Sequence, residues 1–230
     1  MKFWKTMNIL YERFILIVLV LVLLVVMWCM YDNYYVYSHT LSNDIIKYKP
    51  GQSETAPEDP PISDDMVAWI TIDGTNIDYP VMQGDNNVKY LNTDPFGKYS
   101  LSGSIFLDSR NSSDFTDDYS LLYGHHMEYG RMFGALDDFL DKSYLKSHCT
   151  GKLIVGKDAE KTYELEVFAS MRANAGDEEV FDPGKGDIRK FIKQHSQVYT
   201  SEREGRILAL STCALNDSVS RTIVFCIIKE

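Results

Sequence analysis

Short apolar segments that alternate with turn-forming residues fill the chain from residue 63 to its end. Each segment has the length of a β-strand, and Gly, Asn, Asp and Ser cluster between the segments. This arrangement is typical of a barrel or a sandwich, so we predict a mainly β fold with eight strands. The predicted strands are Val67–Ile72, Ile77–Val81, Ser104–Leu107, Tyr119–Tyr123, Lys152–Val155, Tyr163–Arg172, Arg206–Thr212 and Thr222–Ile228.

Two segments of the same region have a helical period instead, Met132–Leu140 and Asp187–Val198. In the second, one face collects the positions i, i+3, i+4 and i+7, and that face is mostly apolar. These positions are Ile188, Phe191, Ile192 and His195. The segment lies in the long connection between the sixth and seventh predicted strands, so we expect peripheral helices around the β domain.

An unbroken run of 17 apolar residues, Phe14–Met30, lies near the N-terminus. At ~1.5 Å per residue a helix of this length spans ~26 Å, close to the lower limit for crossing a bilayer. Basic residues precede the run and Asp32 follows it, so the positive-inside rule places the N-terminus in the cytoplasm. The basic residues are Lys2, Lys5 and Arg13.

A cleaved signal peptide is the alternative interpretation of this run. The run is longer than the apolar core of most signal peptides, and the residues from Trp28 to Tyr35 are bulky where a cleavage site needs small ones. An uncleaved membrane anchor is therefore favoured, and it leaves the rest of the chain on the outer side of the membrane.

These patterns predict four parts: a cytoplasmic N-terminus (1–13), a transmembrane anchor (14–30), an extracytoplasmic stalk or linker (31–62) and a globular domain (63–230). The stalk begins with a tyrosine-rich stretch that contains a weak helical pattern, Ser38–Tyr48. Residues 50–62 contain four prolines and are typical of a linker.

The chain is acidic, with a formal net charge of −10. Residues 1–30 hold three bases and one acid, so the outer part has 20 bases against 32 acids, a net charge of −12. Phosphate binding relies on clustered Lys and Arg, so a nucleic-acid partner is not expected. We interpret the acidity as a feature that keeps the outer part soluble.

Four cysteines occur, at positions 29, 149, 213 and 226, and the first lies in the membrane run. Three cysteines in the outer part is an odd number, so at least one thiol is free unless a partner chain intervenes. Cys226 lies inside an alternating strand pattern and is predicted to be core. Whether Cys149 and Cys226 pair stays open.

The segment Leu208–Cys213 carries the strongest chemical signal, because an apolar strand there delivers a cysteine to its end. Arg221 follows eight residues later, directly before the next predicted strand, so a thiol and a guanidinium would meet at one rim. His125 follows the strand and glycine of Leu121–Gly124 and could complete the set. Thiol, imidazole and guanidinium together favour acyl transfer through a thioester.

Each of these residues also has an ordinary structural interpretation. A free cysteine is usually a small buried hydrophobe, although the polar residues around Cys213 place it at an exposed strand end. Arg221 could be a surface arginine paired with Asp217. His126 competes with His125 for the catalytic role, but neighbouring residues of a strand face opposite ways, so only one of them reaches a given site. The paired histidines lack a third ligand at metal spacing, so no metal is predicted.

Three separated segments resemble the motifs of sortases, the transpeptidases of Gram-positive cell envelopes. Leu210–Cys213 is similar to the end of their T-L-x-T-C signature, with Ala209 in place of the threonine, and Arg221 stands at the arginine spacing of the family. Tyr123–Met127 resembles the Y-G-H-N-M segment of class B sortases, with His126 at the asparagine position.

The segments Gly74–Met82 and Gly103–Asp108 also resemble class B sortases, as does the helix between the sixth and seventh predicted strands. The resemblance covers about residues 63–230 and adds a matching N-terminal anchor. It implies an eight-stranded sortase β-barrel with peripheral helices, preceded by a transmembrane helix, with the active residues at one rim.

By this resemblance, Cys213 would be the nucleophile that attacks the threonine carbonyl of a C-terminal sorting signal. His125 would act as general acid and base, and Arg221 would hold the substrate and stabilise the oxyanion. Ser211 and Thr212 would line the substrate groove. The chemistry implies no cofactor and no metal.

The implied partners are secreted proteins that carry a sorting signal, an amine of a lipid-linked peptidoglycan precursor, and membrane lipid around the N-terminal helix. The implied location is the membrane of a Gram-positive bacterium, with a single pass, a cytoplasmic N-terminus and an extracellular catalytic domain.

Three alternatives to wall attachment stay open. The chain could be a class B pilin polymerase that joins subunits through a lysine. It could be a membrane-tethered binding module that kept the barrel and lost the chemistry. It could also be an ordinary cysteine hydrolase, which would release a free acid and ignore added amines.

Overall fold

The computed structural model describes residues 2–39, 43–51, 61–201, 204–214 and 217–229. The chain divides into two compact units, Met1–Ser42 and Asn43–Glu230.

Helix α1, Lys2–His39, makes up the first unit. Its stretch Phe3–Asp32 is long and apolar enough to cross a bilayer, judged by length and composition. The 30 residues of this stretch extend ~45 Å, against ~30 Å for the hydrocarbon core of a bilayer. The predicted anchor, Phe14–Met30, lies within this helix, which is therefore a candidate membrane span.

Nine strands among the described residues of the second unit form one sheet. Their bounds are β1 Met66–Ile72, β2 Asp78–Met82, β3 Ile105–Leu107, β4 Tyr119–Gly124, β5 Thr150–Val155, β6 Lys161–Asn174, β7 Val198–Tyr199, β8 Arg206–Ala214 and β9 Asp217–Lys229.

The sheet has the order β5-β1-β2-β3-β4-β8-β9-β6-β7, and β5 also pairs with β6. This last pairing closes eight strands into a barrel and leaves β7 as a partner of β6 alone. The pairs β2–β3 and β4–β8 are parallel and the others are antiparallel, so the barrel is mixed. The prediction of a mainly β fold built as an eight-stranded barrel is confirmed.

Each of the eight predicted apolar segments overlaps one strand, although Ile77 and Ser104 lie just before β2 and β3, and two strands extend well beyond the prediction. β6 is longer at both ends, and β9 begins at Asp217 instead of Thr222. The extra residues of β9 are mostly polar, and backbone pairing with β8 holds them in the ladder. An apolar pattern marks where a strand is buried, and backbone hydrogen bonds continue past that point.

The helices among the described residues are of two kinds. The α-helices are α1, α2 Lys142–Ser147, α3 Glu178–Phe181 and α4 Ile188–His195. The 3₁₀ helices are Asn43–Tyr48, Lys89–Leu91, Glu128–Gly130 and Gly134–Leu140.

The described residues thus hold four α-helices and four 3₁₀ helices. The predicted helix Asp187–Val198 exists as α4, whose N-cap Asp187 accepts a hydrogen bond from the Lys190 backbone N–H. Its predicted end is wrong, because Val198 pairs with β6 as part of β7. The predicted helix Met132–Leu140 forms the 3₁₀ helix Gly134–Leu140.

The weak helical pattern predicted over Ser38–Tyr48 divides between the end of α1 and the 3₁₀ helix Asn43–Tyr48, and residues 40–42 lie outside the described part. The acidic stretch around Glu178 forms helix α3, which the sequence patterns do not predict. Helix α3 forms there because Val180 is buried, and the Val180 carbonyl accepts a hydrogen bond of 2.9 Å from the Tyr119 hydroxyl.

The core fills the barrel and the space under the helices. Trp69, predicted to be core, is fully buried, and its indole N–H donates to Asp78 Oδ1 over 2.6 Å. On β8 the four residues Ile207–Leu210 are all fully buried. A strand buried on both faces shows that elements pack against it from inside and outside the barrel.

Replacing Gly103 by alanine is expected to destabilise the barrel. The added Cβ would lie 2.4 Å from the Leu91 carbonyl oxygen, and the backbone φ is +54°. Gly97 has a φ of +80° but no heavy atom within 4 Å of a Cβ, so Gly97→Ala carries the conformational cost alone. Measured by urea unfolding, the free energy of unfolding should fall by ~1–3 kcal/mol more in Gly103→Ala than in Gly97→Ala. Equal losses would contradict a tight contact at Leu91.

Candidate active site

A cleft of about 170 Å³ opens at the barrel rim where β4 and β8 end and β9 begins. Its described lining residues come from five elements and the loops beside them. They are Asn87, Leu91, Phe106, Tyr123, Gly124, His125, Ser211 and Arg221. The cleft therefore brings together residues that lie up to 134 positions apart in the chain, as Asn87 and Arg221 do.

The ladders around β8 determine which residues reach this rim. β8 pairs with β9 so that Cys213 lies directly opposite Arg221. On its other side β8 runs parallel to β4, with Gly124 beside Thr212. Parallel strands end at the same edge of a sheet, so the chain leaves β4 at His125 next to the end of β8.

Cys213 has a described backbone position, and its side chain lies outside the part of the chain that the structure describes. The register of the ladder changes between Cys213 and Ala214, so the pairing of β8 with β9 is irregular at the end of β8. Irregular pairing of this kind, like a β-bulge, is common next to active sites. The predicted nucleophile thus lies at an irregular strand end, opposite the predicted arginine.

His125 lines the cleft and is held by the end of a 3₁₀ helix. Its Nε2 lies 2.8 Å from the carbonyl oxygen of Leu91, the last residue of Lys89–Leu91. The last carbonyls of a helix lack partners within the helix, so they are free to accept. A carbonyl only accepts, so the neutral ring donates from Nε2 and carries its lone pair on Nδ1. Nδ1 is then the nitrogen that remains for proton exchange.

Ser211 and Thr212, predicted to line the groove, have different surroundings. Ser211 lines the cleft, and its buried Oγ has no hydrogen-bond partner among the described residues. Thr212 is buried and is not one of the described residues that line the cleft. The alternation of side chains along a strand explains the difference, because Ser211 and Thr212 face opposite sides of β8.

A fully buried carboxylate, Asp108, supports one wall of the cleft. Arg110 donates to both of its oxygens, over 2.9 Å from Nε and 2.8 Å from a terminal nitrogen. Asn87 donates from its amide over 2.9 Å, and Tyr123 donates from its hydroxyl over 3.0 Å. Two lining residues, Asn87 and Tyr123, are therefore held by the same carboxylate.

The charges of this cluster favour an ionised Asp108 and a protonated Tyr123. Burial alone would raise the pKa of Asp108, but the hydrogen bonds and charge of Arg110 outweigh it and lower that pKa. Burial, followed by the negative charge of Asp108, raises the pKa of Tyr123 well above its ordinary value, and the positive charge of Arg221 offsets a small part of the rise. Tyr123 therefore remains a hydrogen-bond donor at neutral pH.

The other cysteines stay apart from this chemistry. Cys149 and Cys226 are both free, so the pair that the sequence left open does not form in this structure. Burial raises the pKa of the Cys226 thiol to about 12. Cys226 is core, as predicted, and a thiol with such a pKa is a poor nucleophile at neutral pH.

No group of three or more His, Cys, Asp or Glu side chains in the described part of the chain is arranged to hold a metal ion. Sequence patterns did not identify Asn87, Leu91 or Phe106 as cleft residues. No local motif distinguishes them, because only closure of the barrel brings their loops and strand beside β4 and β8.

A model of the sortase domain family matches residues 70–228, which hold every strand of the closed barrel except part of β1 and β9. Because the match spans more than half of the chain, the chain belongs to the sortase family. Members of this family are cysteine transpeptidases.

Relatives within the family belong to class B, which confirms the resemblance predicted from the motifs. Sortase B of Listeria monocytogenes is 36% identical over 160 residues, which cover 66% of this chain and 64% of that protein. The alignment thus spans slightly less than two thirds of the Listeria protein.

Two solved structures are similar in both sequence and fold. A class B sortase of Streptococcus pyogenes involved in pilus biogenesis is 38% identical, with a TM-score of 0.67, and the match covers 73% of this chain and 94% of that one. A Staphylococcus aureus sortase B–substrate complex is 30% identical, with a TM-score of 0.66, and the match covers 74% and 82% of the two chains.

Replacing Asp108 by asparagine should destabilise the protein at neutral pH by roughly 2–4 kcal/mol, because charge-assisted hydrogen bonds and a buried partner are lost. A carboxylate with a lowered pKa stabilises the fold above its unfolded pKa of about 3.9 and loses this contribution as pH falls through the folded value. The difference in the free energy of unfolding between wild type and Asp108→Asn, measured in urea, should therefore become smaller below about pH 4.

Asp114→Asn is the matched control, because Asp114 is an exposed carboxylate that also has a lowered pKa through hydrogen bonds from Thr116 and Ser112. Its loss of stability should be much smaller than that of Asp108→Asn. If the difference in free energy of unfolding between wild type and Asp108→Asn stays constant from pH 7 to pH 3, Asp108 is not ionised in the folded protein.

Proposed function

We propose that the chain is a membrane-anchored class B cysteine transpeptidase. It cleaves a C-terminal sorting signal after threonine and transfers the acyl group to an amine of a lipid-linked peptidoglycan precursor. α1 anchors it by a single pass in the membrane of a Gram-positive bacterium, with the N-terminus in the cytoplasm and the barrel outside. The four parts 1–13, 14–30, 31–62 and 63–230 are its cytoplasmic end, anchor, stalk and catalytic domain.

One observation carries the proposal: Cys213 lies opposite Arg221 in the β8–β9 ladder, and His125 leaves the strand that pairs with β8 at the same rim. The backbone pairing thus brings Cys213, His125 and Arg221 to one rim of the barrel, where His125 and Arg221 line the cleft. Family membership supports the same assignment, because sortases are cysteine transpeptidases and the matched residues 70–228 contain all three of these positions.

In the first half of the proposed reaction, the Cys213 thiol gives its proton to His125, and the resulting thiolate attacks the threonine carbonyl and forms a tetrahedral oxyanion. Arg221 donates hydrogen bonds to this oxyanion, and a guanidinium is suited to that role because it is planar and always charged. The C–N bond breaks as His125 gives a proton to the leaving amine. The product is a thioester between Cys213 and the substrate.

In the second half, the acceptor amine attacks the thioester carbon and loses its proton to His125. The C–S bond breaks, the thiolate of Cys213 leaves, and a new amide forms. Covalent catalysis replaces one difficult amide exchange by two easier steps. The hydroxyl of Ser211 supports a substrate-binding role, since it lies buried in the cleft wall without a partner among the described residues.

A pilin polymerase is the second candidate function. The similarity to the Streptococcus pyogenes class B sortase involved in pilus biogenesis favours it, because that match covers 94% of the other chain at 38% identity. In this case the acceptor is a lysine side chain of another pilin subunit. The same barrel and the same three residues serve both functions, so the acceptor amine distinguishes them.

The direct test incubates the full chain in detergent micelles with a library of sorting-signal peptides, with and without amines, followed by intact mass. A peptide adduct on Cys213 and an amine-ligated product are expected, and both should disappear in Cys213→Ala. Transfer to peptidoglycan-type amines supports wall attachment, whereas transfer only to a pilin lysine supports the second candidate. Release of free acid that added amines do not change would indicate a hydrolase. A folded protein that forms no adduct would indicate a binding module.

Replacing Arg221 by lysine should lower kcat by roughly 100-fold or more, because an ammonium cannot reproduce two parallel donors to the oxyanion. Arg206→Lys is the matched control, since Arg206 lies at the opposite end of β8 and donates to the Phe115 carbonyl. Its kcat should stay near that of the wild type. Wild-type kcat in Arg221→Lys would mean that Arg221 is structural.

A further inference from the structure

A second set of polar residues joins the same strands on the face away from the cleft. His126 follows His125 directly, and only 7% of its side chain is exposed. Its Nε2 lies 3.3 Å from Oδ2 of Asp137, a residue of the 3₁₀ helix Gly134–Leu140. The end of β4 is thereby connected to a helix that packs outside the barrel.

The other oxygen of Asp137 connects the same helix to β9. Thr222 is fully buried and donates from its hydroxyl to Asp137 Oδ1 over 2.5 Å. Thr222 follows Arg221 directly and lies opposite Thr212 in the ladder. We name the set His126, Asp137 and Thr222 the carboxylate bridge.

Each end of the carboxylate bridge is the chain neighbour of a cleft residue. Neighbouring residues of an extended chain face opposite sides, so His125 and Arg221 face the cleft while His126 and Thr222 face the bridge. A shift of His126 or Thr222 would consequently move the backbone that carries His125 or Arg221. The bridge spans these two positions with one carboxylate.

The surroundings of the two ring nitrogens of His126 fit this structural role. Its buried Nδ1 has no hydrogen-bond partner among the described residues. Nε2 is the nitrogen that faces the carboxylate, 3.3 Å from Asp137 Oδ2, so Nε2 is the atom that joins the carboxylate bridge. His126 is also not one of the described residues that line the cleft. These observations separate it from the catalytic role for which it competed with His125.

We infer that His126 is a positioning residue, which with Asp137 and Thr222 sets the placement of His125 relative to Arg221. The inference rests on the proposed transpeptidase function. The bridge touches neither substrate nor reacting atoms, so its loss changes the rate of the chemical steps and leaves substrate affinity nearly unchanged. A misplacement below 1 Å is enough for this, because reaction rates depend steeply on the alignment of catalytic groups.

The test compares variants of the full chain in detergent micelles. Thr222→Val removes the hydroxyl that donates to Asp137 and keeps the shape of the side chain, whereas Thr222→Ser keeps the hydroxyl. We expect Thr222→Val and His126→Ala to lower kcat roughly tenfold with little change in KM. Thr222→Ser should recover most of the activity, and His125→Ala should be far slower than His126→Ala.

Asp138→Asn is the matched control, because Asp138 lies next to Asp137 in the same 3₁₀ helix. It should keep kcat within about twofold, as expected for a surface substitution outside the bridge. Thermal unfolding of each variant shows whether it is folded. If His126→Ala does not fold, the comparison of kcat between Thr222→Val and Thr222→Ser tests the inference by itself. Wild-type kcat in folded Thr222→Val, or an equal loss in Thr222→Ser, would overturn the inference.

Alkylation of Cys213 by iodoacetamide, located by peptide mass, supplies a readout that needs no substrate. The rate depends on the fraction of thiolate, which neighbouring cationic groups increase. The alkylation rate should fall several-fold in Thr222→Val and His126→Ala but not in Asp138→Asn. Equal rates in these three variants and the wild type would overturn the inference. If the wild type is alkylated at Cys213 but forms no peptide adduct, the proposed function is contradicted. The alkylation rates of the variants then still test whether the carboxylate bridge positions His125.

Discussion

The hydrogen-bond ladders on the two sides of β8 are the interaction on which the site depends. β8 runs parallel to β4 and antiparallel to β9, so two strands end and one begins at the same rim. Backbone pairing thus brings residues that are far apart in the chain to the same rim. The barrel around them matters because closure by β5 and β6 leaves none of its eight strands with an open edge.

Buried polar groups then set the shape of the rim. Asp108 holds Asn87 and Tyr123 on one wall, and Asp137 joins His126 to Thr222 behind the opposite wall. In each case one carboxylate accepts from groups on different elements, so a single side chain coordinates several parts of the fold. Unsatisfied buried carboxylates are costly, so the fully buried Asp108 gives its cluster a strong preference for one geometry, whereas Asp137 is partly exposed.

The sequence predicted the eight barrel strands because each of them carries apolar residues with the period of a half-buried or fully buried strand. It predicted α4 because the apolar residues of that segment recur with the period of a helix. It missed α3 and β7, which are short and depend on single buried residues such as Val180 and Val198. It identified Cys213, His125 and Arg221 as candidates because these have reactive side chains next to strand ends. It could not find Leu91 or Asp137, since their partners are set by three-dimensional packing alone.

The parallel pairing of β4 with β8 has a consequence for how the protein folds. The chain between these strands contains β5, β6, β7 and five helices, so the two halves of the cleft meet only after a long crossover has closed. Such non-local pairing is slow to form. Until it forms, Cys226 lacks the burial that suppresses its reactivity and has the ordinary thiol pKa of about 8.5. Cys226 can therefore react with an oxidant or another thiol only while the barrel is folding, and its burial prevents this once the barrel has closed.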